Sequence, residues 1–333
     1  MKRFNLLCLI SLLMASPFSW SSVQPLELNA VPSEQLAQYI ADFKQQKQQL
    51  WIRVHGEKFP LNIHTISSEL LIAHYAKGLV TIPFSFEDPE PGTNVTIYEG
   101  RFDQAESFES KIDFKQAILK STTIWKSSNV STTEQENIVY HGKLVNQKGT
   151  ETDFEMSINE ALITGGTSLF SIEQNRAILT GELGTNTYVQ LSNLVERNPN
   201  VDTIVIKAVN GSLNDEINMH TGNLLRDSGL NTKIPNNGYA YSGGVDLFAA
   251  GVNRQVEGNG VLGVHSWCCS AGTTADKLPK DDDAHHDQVV YFTKMLGKEV
   301  GPDFYFYTIH AAPFSSVHPM TRTEMADYSL LTK

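Results

Sequence analysis

The residues best suited to chemistry lie in the second half of the chain. The segment Tyr239-Ala-Tyr-Ser-Gly-Gly-Val-Asp-Leu-Phe-Ala-Ala-Gly sets Ser242 between a short apolar strand and an apolar helix, followed at once by two glycines. A serine at such a turn is a candidate nucleophile, because backbone N–H groups left unpaired at a helix start stabilise a developing oxyanion. The structural alternative is an N-cap serine in front of a buried helix. The next strand, Val261-Leu-Gly-Val, ends at His265, which places an imidazole where a general base would stand, since strand ends are where sites collect in α/β proteins. Upstream, Thr203-Ile-Val-Ile-Lys leads into Val209-Asn-Gly-Ser-Leu-Asn. There the N–H of Gly211, together with that of Gly243, is a candidate oxyanion hole; a turn capped by Ser212 or Asn214 is the alternative.

These residues need elements to hold them. Ala177-Ile-Leu-Thr-Gly reads as a strand, Thr185 to Arg197 as an amphipathic helix and Thr203 to Lys207 as a buried strand. A helix from Asp215 to Asp227, a short strand from Asn231 to Ile234, an apolar helix from Ser242 to Val252 and the strand Val261 to Val264 follow. Such alternation predicts parallel strands joined by crossover helices. Before Gly165-Gly166 the pattern differs: a helix through Leu36, Ala37, Ile40 and Phe43, with Ser33 as its cap, fades into a glutamine-rich stretch. Short strands then recur, at Trp51-Ile-Arg-Val, Leu79-Val-Thr-Ile, Val95-Thr-Ile-Tyr and Ile138-Val-Tyr. The expected division is a leader over 1–21, a β-rich α+β domain over 22–165 and an α/β domain over 166–333.

The order of glycine turn, serine at a helix start and histidine after the next strand resembles the active core of the Clp proteolytic subunit and signal-peptide-peptidase families, which share the crotonase-like fold. Asn210-Gly211-Ser212, Tyr241-Ser242-Gly243-Gly244 and His265 carry the resemblance, which spans about Ala177 to Leu331. It implies a repeated β-β-α spiral, a serine peptidase in which Ser242 and His265 are catalytic and Gly211 and Gly243 bind the oxyanion, a peptide or protein substrate, no cofactor, and a homo-oligomer. Asn210 and Tyr241 depart from the glycine and small residue of the family pattern. The acidic third member is replaced by Ser315-Ser-Val-His, which leaves His318 or Ser316 to orient His265, with Asp283 and Asp287 as further candidates. A catalytically inactive binding protein with the same fold is the competing reading.

A zinc site built from His265, Cys268, Cys269, His285 and His286 is a third reading, disfavoured because adjacent cysteines do not readily share one tetrahedral ion. The cysteines otherwise form a vicinal disulfide or stand as one buried and one exposed thiol, and His285 and His286 read as surface residues. Asp281-Asp-Asp reads as a helix cap, and the triplets at Asn94 and Asn129 fit a glycosylation pattern. At the N-terminus, Lys2 and Arg3 precede an apolar run from Leu6 to Ala15, the pattern of a secretory signal peptide, so the expected location is periplasmic or secreted. No other run approaches a membrane span. The formal charge of −11 argues against nucleic acid as a partner.

Overall fold

The computed structural model describes residues 27–66, 70–83, 95–100, 118, 120–134 and 137–332. The leader expected at 1–21 and Asn94 lie outside them. Among the described residues no helix is long and apolar enough to cross a membrane.

The first half opens with helix α1 (Leu36–Gln48), which runs through the glutamine-rich stretch instead of fading there and starts at Gln35, not Ser33. Nine antiparallel strands follow: β1 (Trp51–Val54), β2 (Glu57–Pro60), β3 (Asn62–Ile66), β4 (Leu70–Tyr75), β5 (Gly78–Pro83), β6 (Thr96–Glu99), β7 (Thr123–Glu134), β8 (Ile138–Asn146) and β9 (Glu151–Ile158). They form one sheet in the order β2-β1-β9-β8-β7-β6-β5-β4-β3. Alternation sets its buried face: Ile52 and Val54 in β1 are buried while Trp51 and Arg53 are partly exposed. Ile52, Leu144, Phe154 and Met156 belong to the core beneath it, which the short helix α2 (Ala161–Thr164) joins.

The second half is built on a branched sheet. Strands β10 (Leu169–Glu173) and β11 (Arg176–Thr180) form a hairpin, and helix α3 (Thr185–Arg197) connects to the long strand β12 (Thr203–Val209). Helix α4 (Asp215–Asp227) follows, started by Asn214, whose side chain accepts from the Ile217 N–H at 3.2 Å. The chain then repeats a unit of two strands: β13 (Asn231–Ile234) and β14 (Tyr239–Tyr241), helix α5 (Gly243–Ala249), and β15 (Arg254–Val256) with β16 (Val261–Val264). The first part of β12 pairs in parallel with β13, which pairs with β15. Its last part pairs with β14, which pairs with β16. This is a repeated β-β-α arrangement in an α/β half, as expected for the second half. Helices α6 (His286–Leu296) and α7 (Val300–Ala311), which the periodicity did not suggest, cover it; strand β17 (His318–Pro319) adds antiparallel to β16, and α8 (Arg322–Asp327) closes the chain.

The core of this half unites Leu179, Ile204, Ile206, Leu262, Phe248 and Phe292, with Leu28 from the N-terminal segment. A smaller cluster of Val31, Ile40 and Ile217 packs α1 against α4.

Candidate active site

Strands β12, β14 and β16 lie side by side and run the same way, with Val209 opposite Ala240 and Tyr241 opposite Gly263. Their carboxyl ends therefore release Gly211, Ser242 and His265 at one edge of the sheet, where ligands gather in α/β proteins. Ser242 is the residue between β14 and α5. Its φ of 51° and ψ of −127° lie in a region that non-glycine residues rarely occupy. Holding a serine there costs roughly 1–3 kcal/mol and turns its side chain out of the strand-to-helix bend. The Ser242 N–H is anchored to the Gly263 carbonyl at 2.9 Å, and the hydroxyl makes no capping bond to α5, which sets aside the N-cap alternative.

The glycines around Ser242 are required by close approach. A Cβ on Gly211 would stand 3.3 Å from the Ser242 Cβ, and one on Gly243 would meet the Ser212 Cβ at 2.6 Å. Asn218, fully buried on α4, donates to the Gly243 carbonyl at 2.8 Å and fixes the first turn of α5.

His265 is partly buried and shares one cleft with Ser242, Gly243, Asp215, Asp246, Trp267 and Gln288. No direct hydrogen bond joins the Ser242 hydroxyl to the imidazole. His265 Nδ1 lies 2.7 Å from the carbonyl oxygen of Ser266, a contact that requires Nδ1–H and leaves Nε2 as the basic nitrogen of the neutral ring. Ser266 is itself buried and clamped: its hydroxyl donates to Asp276 Oδ1 at 2.9 Å, while the Asp276 N–H donates back to the hydroxyl oxygen at 3.1 Å. Hydrogen bonds from Thr274 and then Ser266 hold the Asp276 carboxyl below its ordinary pKa.

His318, expected as the third member, is not placed to orient His265. It pairs across β17 with Val264, and its Nε2 lies 3.0 Å from Glu324 Oε1. Glu324 is committed to the capping box of α8; the Thr321 backbone N–H heads the contacts that hold its carboxyl at a pKa of about 2. Asp287 is also engaged elsewhere, accepting from the N–H groups of Asn29 and Ala30 at 2.8 and 3.1 Å.

The side chains of the zinc reading go to separate contacts. Cys268 and Cys269 form a vicinal disulfide, and His285 is buried, not at the surface, with Nδ1 2.6 Å from Tyr305 Oη. The Tyr305 hydroxyl also accepts from Trp267 Nε1 at 3.0 Å, which ties α7 to the loop after His265. Among the described residues no three His, Cys, Asp or Glu side chains gather as metal ligands. His286 is exposed, and Asp282 caps the turn at Ala284 as the Asp281–Asp283 run suggested.

Three features of the site were not read from the sequence. Asp246 lies four residues after Ser242, one helical turn on, so the i,i+4 rule was the available signal. Asp215 opens α4, and Asp276 reaches Ser266 across a loop with no local signature.

No family model matches the chain, and no curated protein matches it. Solved structures do show similarity. An enoyl-CoA hydratase from Bacillus halodurans matches 49% of this chain and 71% of its own at 12% identity, with a TM-score of 0.32. A second, from Bacillus anthracis, matches 49% and 68% at 13% identity, with a TM-score of 0.31. A membrane-bound stomatin-specific protease in complex with a substrate peptide matches 46% and 71% at 15% identity, with a TM-score of 0.35. The matches thus span about half of this chain.

Proposed function

We propose that this protein is an exported serine hydrolase that cleaves acyl bonds, peptide bonds foremost. The observation that carries the reading is the positive-φ turn that presents Ser242 beside Gly211 and into the cleft that also holds His265. In this mechanism the Ser242 oxygen bonds to the substrate carbonyl carbon while His265 Nε2 takes the hydroxyl proton. The N–H groups of Gly211 and Gly243 receive the oxyanion, each donor contributing about 3 kcal/mol to the transition state. The imidazolium then protonates the departing amine as the C–N bond breaks. Water, deprotonated by the same nitrogen, releases the acyl group and restores Ser242. The Ser266 carbonyl supplies the fixed orientation that an acidic third residue supplies elsewhere, and Asp276 steadies that carbonyl by clamping its side chain.

Fluorophosphonate labelling of the purified protein tests this. The wild type is expected to label, and Ser242→Ala and His265→Ala to lose the adduct; a label that survives Ser242→Ala removes the assignment. One observation favours a second reading, a binding protein without turnover: the absent hydrogen bond between Ser242 and His265. That reading predicts no labelling of the wild type and no burst with an activated ester. Export, the division at residues 22–165 and 166–333, and self-association belong to the proposal. Mass measurement of the protein recovered from the host's periplasm, limited proteolysis and sedimentation test them in turn.

A further inference from the structure

The Ser242 cleft is cramped. It holds a cavity of about 30 Å³, room for a water or two and not for a peptide side chain, so part of its wall must move before a substrate enters. Most of that wall is carried by regular structure. Helices α4, α5, α6 and α7 and strand β16 supply every lining residue except Ser242, His265 and Trp267. Ser242 is anchored to the Gly263 carbonyl, and His265 to the carbonyl of Ser266. Trp267 is left as the movable part of the wall. It stands in a loop, packs partly buried against the core, and donates from Nε1 to Tyr305 Oη at 3.0 Å.

The loop that follows Trp267 is a closed turn. The Trp267 carbonyl accepts from the Ala275 N–H at 3.1 Å, and Ser270 and Thr273 exchange two backbone hydrogen bonds, of 3.0 and 2.8 Å. Cys268 and Cys269 are the two residues between those ties, and a disulfide joins them. Because the disulfide ring includes the peptide unit between the two cysteines, it removes their backbone freedom and so holds Trp267 in its place in the wall. Both cysteines are exposed, whereas Trp267 and Ser270 on either side are partly buried. An exposed disulfide is open to attack by a thiolate.

We propose that Cys268–Cys269 is a redox-active site that takes a dithiol as its reductant, and that its reduction releases Trp267 and opens the Ser242 cleft. One thiolate of the dithiol attacks one cysteine sulfur; the S–S bond breaks, a mixed disulfide forms and the other cysteine leaves as a thiolate. The second thiol of the donor then attacks the mixed disulfide and frees the remaining cysteine. Two electrons and two protons pass from donor to pair, so the donor ends as a disulfide and Cys268 and Cys269 end as thiols. The proposal rests on the serine-hydrolase reading for the use made of the open cleft, but not for the redox exchange or the release of Trp267.

Three measurements on the full chain, purified without reductant, test it. The first is alkylation by iodoacetamide, read from the mass of the peptide that carries both cysteines. It is expected to add nothing before dithiothreitol and two groups after it, with the circular dichroism of the folded protein unchanged. Alkylation before reduction, or only after unfolding in urea, overturns the proposal. The second is acrylamide quenching of tryptophan fluorescence, which is expected to rise on reduction, and the Trp267→Phe variant assigns the rise by losing it. A double variant, Cys268→Ser with Cys269→Ser, is expected to show the quenching of the reduced protein with and without dithiothreitol. Unchanged quenching of the wild type on reduction overturns the proposal. The third is fluorophosphonate labelling, which is expected to run about tenfold faster after reduction as the open fraction grows, and equally fast in the double variant under both conditions. Measurable labelling of the wild type at equal rates in the two states overturns the proposal. No labelling in either state, with Trp267 released by reduction, supports the redox site and overturns the serine chemistry alone.

Discussion

The backbone at Ser242 makes an unusual demand that separates stability from activity. With φ at 51° and ψ at −127°, a residue with a Cβ is strained and a glycine is not. Two substitutions isolate that strain, because both remove the hydroxyl: Ser242→Ala keeps the Cβ, and Ser242→Gly removes it. Relief of the strain contributes roughly 1–3 kcal/mol. Against this, glycine gives the unfolded chain more freedom, which costs about 0.5–1 kcal/mol. Ser242→Gly is therefore expected to be more stable than Ser242→Ala by about 1 kcal/mol. With an unfolding entropy of about 2.1 cal/mol/K per residue, a chain of 333 residues that unfolds as one unit rises by about 1–2 °C in its unfolding midpoint. Differential scanning calorimetry at one scan rate, with urea midpoints as the second measure, reads the difference. Neither variant is expected to accept a fluorophosphonate. A Ser242→Gly protein no more stable than Ser242→Ala would refute the reasoning that the turn is held under strain to present the nucleophile.

Other outcomes follow from the geometry around the same turn. Asp276→Ala frees Ser266 and lets the His265 imidazole drift, so labelling should slow by roughly ten- to a hundredfold, while Asp276→Asn, which can still accept from Ser266, should retain most of the rate. Recovery by the amide variant checks this, and equal loss in both variants contradicts it. Gly243→Ala drives a Cβ to 2.6 Å from that of Ser212, so it should cost about 1–3 kcal/mol in urea unfolding and depress labelling. The raised Asp246 carboxyl sets a pH dependence. The folded protein keeps that proton up to about pH 8, whereas the unfolded chain loses it near 3.8, so unfolding releases a proton between those values and stability falls as pH rises. Asp246→Asn should therefore flatten the decline in stability between pH 5 and pH 8, by at most about 1.4 kcal/mol per pH unit. Parallel profiles for the two proteins would count against the shifted carboxyl.

What could be read from the residues alone is what neighbouring residues decide among themselves. The helix at Thr185–Arg197, the helix at Asp215–Asp227 and the strands at Asn231–Ile234 and Val261–Val264 were legible with their ends, because caps, glycines and apolar spacing act over a few positions. The turn at Ser242 was legible for the same reason: a small apolar strand, a serine and two glycines specify it locally. Helices α6 and α7 were not. Helix α7, which buries Phe304, Tyr305 and Ile309, lacks the polar face that marks an amphipathic helix. Helix α6 sets Tyr291, Phe292 and Met295 against Asp287 and Lys294 but has no capping side chain to mark its start. The partner of His265 was illegible too, since the family pattern directs attention to the segment at His318, while the contact is made by the carbonyl of the adjoining Ser266 and its clamp comes from Asp276. Backbone carbonyls carry no sequence signature. The chain by itself determined the Ser242 turn and the alternating elements that carry it. Only the tertiary structure decided that β12, β14 and β16 end side by side, and that α4, α5 and α6 turn Asp215, Asp246 and Gln288 toward one cleft, because those meetings depend on packing between segments distant in the chain.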